Sequence, residues 1–135
     1  MDMITSGDIA NIIYTDCKAF GMHIYPDGEK HKGEVKSEFV IIHSKRQIEQ
    51  EKWDASVVEV NFFTPNLPNE EPNTIRMNEI ERQAKSFFVK YRTGMFDGLR
   101  YRYYRESIGR EYDESLLCHY VNVKLIFESL NVNQL

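Results

Sequence analysis

Leu117-Cys118-His119-Tyr120-Val121-Asn122-Val123-Lys124-Leu125-Ile126-Phe127 reads as a β-strand. Its side chains separate at period two. Leu117, His119, Val121, Val123, Leu125 and Phe127 fall on one face, while Cys118, Tyr120, Asn122, Lys124 and Glu128 fall on the other. A second run, Ala55-Ser56-Val57-Val58-Glu59-Val60-Asn61-Phe62-Phe63-Thr64, behaves alike. Val58, Val60 and Phe62 alternate there with Glu59 and Asn61, and the run stops at Pro65-Asn66. Two more segments have strand character: the apolar run Phe39-Val40-Ile41-Ile42-His43, and Leu99, Tyr101 and Tyr103 alternating with Arg100 and Arg102. Met22-His23-Ile24-Tyr25-Pro26 adds a short extended piece near residue 24.

Two helices separate these strands. Thr5 or Ser6 caps the first, and Asp8 stands three residues after Thr5, as in a capping box. Ile9, Ile12, Ile13, Cys17 and Phe20 make its apolar stripe, and Gly21 ends it. Asn73 or Thr74 caps the second helix, after a loop that Pro68 and Pro72 keep out of a β-ladder. Ile80, Ala84, Phe87, Phe88 and Tyr91 form its expected buried stripe, with Gly94 just past its end. Residues 27–38 are polar and read as an exposed loop. Residues 45–54 read as a helical turn or a hairpin excursion, and residues 109–114 as a charged turn. The expected fold is a two-layer α+β domain spanning residues 1–135. Its order is α-β-β-α-β-β, with two helices on one face of a mostly antiparallel sheet. The expected core is Ile9, Ile13, Phe20, Val58, Val60, Phe62, Ile80, Ala84, Phe87, Val121, Val123 and Leu125.

With 135 residues, the chain is long enough to bury roughly 65–70% of its unfolded surface, so it needs no covalent staple. A hydrophobic content of 41% argues against disorder. The net charge of −4 offers no bulk attraction to nucleic acid or anionic lipid. That charge is uneven. Residues 1–72 hold 7 Lys/Arg and 13 Asp/Glu, whereas residues 73–135 hold 10 and 8. Opposite patches on one protomer suit head-to-tail contacts between copies. The plainer reading is ordinary solvated surface, since sequence halves need not be spatial halves. Cys17 and Cys118 sit in apolar surroundings without metal spacing, as buried thiols of a reducing compartment do. No signal peptide and no membrane-length apolar run is present, which leads to the expectation of a soluble chain made in the cytoplasm.

The chemistry-bearing residues do not assemble into a motif. His23, Asp27, Glu29 and His31 cluster within nine residues, but their spacing matches no zinc site or facial triad. His119 is in phase with the core face of its strand and is expected to be buried, neutral and bonded to a backbone group or to the neighbours of Tyr120. Cys118 points away from it, so the adjacent pair makes no nucleophilic dyad. P-loop, GxGxxG and GxSxG patterns are absent. No catalytic residue, cofactor or metal is expected.

Arg100-Tyr101-Arg102-Tyr103-Tyr104-Arg105 is the most distinctive local string. Interleaved basic and aromatic residues can hold phosphates and stack bases. In a strand, however, Arg100, Arg102 and Tyr104 face away from Tyr101 and Tyr103, so one nucleic-acid strand could not meet both sets. Arg and Tyr serve protein contacts equally well. Arg100, Arg102, Tyr104 and Arg105 are therefore the candidate interface residues, for a protein contact or a ring lumen. A small nucleic-acid-binding module using residues 100–105, or a small enzyme using His119 or the His23/His31 loop, are the alternatives.

The opening helix with Ile24-Tyr25-Pro26, the run Val57-Val58-Glu59-Val60-Asn61-Phe62-Phe63-Thr64, the helix over 80–91 and the closing His119-Tyr120-Val121-Asn122-Val123-Lys124-Leu125-Ile126-Phe127 carry a resemblance. Together, over about residues 4–128, they resemble the tail-completion, or tail-terminator, proteins of long-tailed bacteriophages and prophages. Residues 27–38 and 45–54 have no counterpart in that pattern. The resemblance implies a non-enzymatic structural protein that forms a ring, typically a hexamer, on the end of the tail tube. Such a ring stops tube growth and meets the head connector. It also implies contacts with copies of itself, the tail-tube protein and the head-connector protein, without membrane or sequence-specific nucleic acid. Its implied location is the host cytoplasm during assembly, then the virion tail or neck. A neighbouring neck or head–tail joining protein fits the same resemblance. Loops 27–38 and 67–73 are natural sites for ring contacts.

Overall fold

A computed structural model describes residues 3–48 and 52–130. Helix α1 (Ser6–Cys17) begins with the expected reciprocal cap. The Asp8 amide donates to Thr5 Oγ1 at 3.1 Å, and the Thr5 amide donates to Asp8 Oδ2 at 2.9 Å. A 3₁₀ turn over Lys18–Phe20 carries the stripe on, and Gly21 closes it at φ +70°. Strand β1 (His23–Ile24) is the short piece near residue 24. Strands β2 (Phe39–Ile48) and β3 (Trp53–Phe63) pair antiparallel, so residues 45–54 belong to a hairpin. Its tip, residues 49–51, lies outside the described residues.

Helix α2 (Thr74–Phe87) is capped by Asn73, whose Oδ1 accepts from the Arg76 amide at 3.1 Å. The helix stops at Phe87, leaving Phe88 as the buried ring, Phe87 half-buried and Tyr91 exposed. Gly94 does not end the helix. It lies in an unforeseen strand, β4 (Arg92–Phe96), which pairs antiparallel with β5 (Leu99–Asp113). The two-residue turn between them, Asp97-Gly98, has φ values of +51° and +82°. Positive φ at both positions is the primed geometry that matches strand twist. A side chain at Gly94 would overlap the Tyr101 phenol that lies across it.

β5 is longer than expected. Residues 109–113 continue the strand, and the turn to β6 (Cys118–Leu130) occupies residues 114–117. Leu117 therefore sits at φ +52° in that turn and is exposed, off the strand face assigned to it.

The six strands form one sheet in the order β1-β2-β3-β6-β5-β4. β1 runs parallel to β2, and the other four pairings are antiparallel, so the sheet is mixed. The fold class, α+β with two helices, is as expected. The two-layer packing is matched only in part, because the sheet curls toward a half-barrel, and β1 and β4 add strands to the expected α-β-β-α-β-β order. Long strands accumulate twist, and register shifts at Ser44/Gln47 and Arg105/Ser107 add local bends.

One face of the sheet carries the main core. Val40, Ile42, Val58, Val60, Phe62, Tyr103, Val121, Val123, Leu125 and Phe127 pack there with residues from both helices. Every residue of the expected core belongs to this cluster, with Phe87 at its half-buried margin. The opposite face carries a second, smaller cluster of Val35, Phe39, Ile41, Phe63 and Cys118. Loop 27–38 covers it. His31 stacks on Phe39 at 4.5 Å, Phe39 on Phe63 at 4.8 Å, and Phe63 on Tyr120 at 4.6 Å. Glu38 then receives both Arg76 Nε (2.7 Å) and Nη2 (2.8 Å) from α2. The loop is tied to the fold at several points rather than lying free in solvent.

Candidate interface

The face opposite the main core bears Arg100, Arg102 and Tyr104 at its β4–β5 end, whereas Arg105 pairs with the core residue Leu125 and lies on the side of the helices. Strand alternation divides the string over residues 100–105 as expected. Tyr103 is fully buried among the core residues and donates to Asp16 Oδ2 at 2.6 Å, and Tyr101 stacks on Phe127 at 5.2 Å. Arg100, Arg102 and Tyr104 face the other way.

These residues differ in what they can do. Arg102 is not a free cation: its Nε donates to Glu128 Oε1 at 2.8 Å, directly across the β5–β6 ladder. Its guanidinium also lies 4.5 Å from the Trp53 ring centre and 5.4 Å from that of Tyr91. Tyr104 meets Tyr91 edge-on at 5.0 Å. Arg105, beside the β5 bulge, donates to the Lys85 carbonyl at the end of α2, 3.2 Å away. Arg100 is exposed and has no carboxylate partner among the described residues. Of the four candidates, Arg100 is available to a partner, Tyr104 is half-buried against Tyr91, and Arg102 and Arg105 are held within the fold.

Arg100 and Arg102, but not Tyr104 or Arg105, line a groove of about 450 Å³ with Trp53, Thr93, Gly94, Met95 and Tyr101. Met95 is 66% exposed on its rim. β4 lies at the edge of the sheet order, so its outer backbone groups have no neighbouring strand within the sheet. Among the described residues, the arrangement joins an apolar gap, a cation without a carboxylate partner and a strand edge without a neighbouring strand. It offers no acid, base or nucleophile set.

Farther along β3 and β6 lies a polar strip. Asn122 donates to Asn61 Oδ1 at 2.6 Å and to Glu59 Oε1 at 3.0 Å, and Lys45 pairs with Glu59 at 3.3 Å. Burial alone would raise the Glu59 carboxyl, but the Asn122 and Lys45 contacts outweigh it and hold it below its ordinary range. This strip satisfies its own polar groups.

The histidines and cysteines are engaged elsewhere. His31 Nδ1 bonds the Tyr25 hydroxyl at 2.8 Å, and its Nε2 bonds the Glu34 carbonyl at 2.9 Å. His23 packs edge-on against Tyr25 at 4.7 Å. Among the described residues, no three His, Cys, Asp or Glu side chains converge as a metal site would require. His119 is half-buried against Tyr112 at 4.8 Å, not in the core as expected, because the strand end it occupies extends past the helices' cover. Cys118 faces away from it into the second cluster, and Cys17 is fully buried. Burial pushes the Cys17 thiol up to about 12, with Asp16 adding to it.

Trp53, Tyr91, Met95 and Glu128 were missing from the sequence-based candidates. Their signal was weak, since β4 followed a helix pattern without a break and only pairing register sets Glu128 opposite Arg102. The sequence matches no family model, and no curated protein sequence matches it.

Proposed function

We propose that this chain is a structural tail-completion protein of the tail-terminator kind, acting as a ring of six copies on the end of a phage or prophage tail tube. In this reading it binds copies of itself, the tail-tube protein and the head-connector protein. It uses no cofactor and catalyses nothing, and it passes from the host cytoplasm into the virion tail or neck. The observation that carries the reading is the groove at the β4 edge, which has the composition of a protein contact: Trp, Tyr and Met around an Arg. The resemblance over residues 4–128 supplies the biological setting. The contacts of Arg102 with Glu128, Trp53 and Tyr91 weigh against a nucleic-acid module, because a guanidinium whose charge is met by a carboxylate and whose plane meets aromatic rings attracts a phosphate less.

The experiment is assembly with the tail-tube protein of the same phage or prophage. Adding the chain should arrest tube growth and decorate tube ends with rings visible by negative-stain microscopy. A chain that neither binds tube ends nor limits their length refutes the assignment.

A further inference from the structure

The groove is cationic and apolar, and the molecule carries a complementary shape at its opposite end. Loop 67–71 follows β3 and is ordered by its own backbone. The Leu67 amide donates to the Glu71 carbonyl and the Glu70 amide to the Leu67 carbonyl, both at 2.8 Å, and the Glu71 amide donates to Asn69 Oδ1 at 3.2 Å. Glu70 adopts φ +67° to close this turn. The result is a preformed knob that exposes Leu67 (40%) beside two carboxylates. Among the described residues, neither Glu70 nor Glu71 has a cation partner.

We infer that loop 67–71 of one copy seats in the Trp53–Met95 groove of the next, with Leu67 between the indole and the thioether and Glu70 or Glu71 on the Arg100 guanidinium. This rests on the ring reading above and specifies its interface. Three observations support a second copy as the occupant. The charges match: among the described residues, Glu70 and Glu71 of the knob have no cation partner, and Arg100 of the groove has no carboxylate partner. The apolar parts match, since Leu67 is exposed on one side and Met95 on the other. The placement forbids an intramolecular contact. Trp53 opens β3 and the knob follows its end, so the 11-residue strand holds them about 35 Å apart. A knob and a groove at opposite ends of one protomer can meet only head-to-tail, which is the heterologous contact that a ring repeats. The acidic balance of residues 1–72 and the basic balance of residues 73–135 gain a spatial meaning here, because the knob belongs to the first part and Arg100 to the second.

The test uses two full-length variants. One reverses the knob (Glu70→Arg with Glu71→Arg), and the other reverses the groove (Arg100→Glu). Neither touches the core, and melting curves confirm that each folds. In sedimentation velocity across a concentration series at low salt, the wild type should show concentration-dependent assemblies. Each variant alone should dissociate at least about tenfold more readily. An equimolar mixture of the two variants should assemble again, because each then meets an opposite charge at both of its contacts. A wild type monomeric at every concentration, an assembly that neither reversal weakens, or a mixture that stays dissociated overturns the inference. The tail-completion reading stands or falls separately. Self-association through another surface leaves it intact. A chain that passes the mixing test yet ignores tail-tube ends keeps the interface and loses the assignment.

Discussion

Arg102 on β5 and Glu128 on β6 face each other across the ladder and pair at 2.8 Å, with the guanidinium laid over Trp53. The Glu128 side chain is only 16% exposed, so little water is at hand to replace this partner. Arg102→Ala should therefore cost about 1–3 kcal/mol, the penalty of leaving a largely covered carboxylate unpaired. Arg100→Ala should change stability by less than about 0.5 kcal/mol, as at other exposed positions. Urea unfolding followed by the fluorescence of the chain's single tryptophan, which is Trp53, measures both. Equal stability of the two variants would show that the pair contributes nothing.

Glu38 ties loop 27–38 to α2. The twofold hydrogen bond from Arg76, helped by Thr64, holds its carboxyl below the ordinary 4.5 despite partial burial. A depressed folded pKa contributes stability that is fully present above about pH 4.5 and is lost as pH falls through the folded value. Glu38→Gln should cost about 1 kcal/mol at pH 7 and should flatten that acid limb. Unfolding midpoints at pH 7 and pH 3 measure it, and a variant whose acid limb is as steep as the wild type's would contradict the assignment.

Tyr103 gives the opposite sign. Burial, then the hydrogen bond to Asp16, raise its phenol well above the ordinary 10.0. A raised folded pKa contributes stability that is present below pH 10 and is lost as pH rises toward the folded value. Spectrophotometric titration should show one tyrosine that ionises only with alkaline unfolding. Tyr103→Phe should remove that step at a cost of about 1 kcal/mol. If all the tyrosines of the wild type ionised reversibly in the native state, the buried hydrogen bond would be refuted.

Val123 is fully buried at the middle of β6, between Val60 on β3 and Ile108 on β5. Val123→Asp places an unpaired charge in the core and should cost several kcal/mol, about 3–5. Circular dichroism melting checks it, and an unchanged transition would exclude β6 as the central strand.

Local residue order was enough to find the strands that are buried on one face. Val58, Val60 and Phe62, and Val121, Val123 and Leu125, show their periodicity wherever the strands pair, and Thr5 with Asp8 marks a helix start within four residues. β4 was illegible for a local reason. Thr93, Gly94 and Met95 follow a helix pattern directly and are too short to show a period. The candidate interface was half legible. Alternation placed Arg100, Arg102 and Tyr104 on one face, but it could not show that Arg102 pairs with Glu128 and lies against Trp53.

The local pattern is sufficient for the sidedness of the helices and the longer strands, because side-chain period is a property of the chain's own backbone geometry. Which residues become neighbours across strands is settled by tertiary pairing alone. Strand order set Glu128 opposite Arg102, and the curl of the sheet brought Trp53 over that pair. The length of β3 placed the acidic knob at the far end from Arg100. Those relations arise from register and twist, which join residues tens of positions apart and leave no mark on the local pattern.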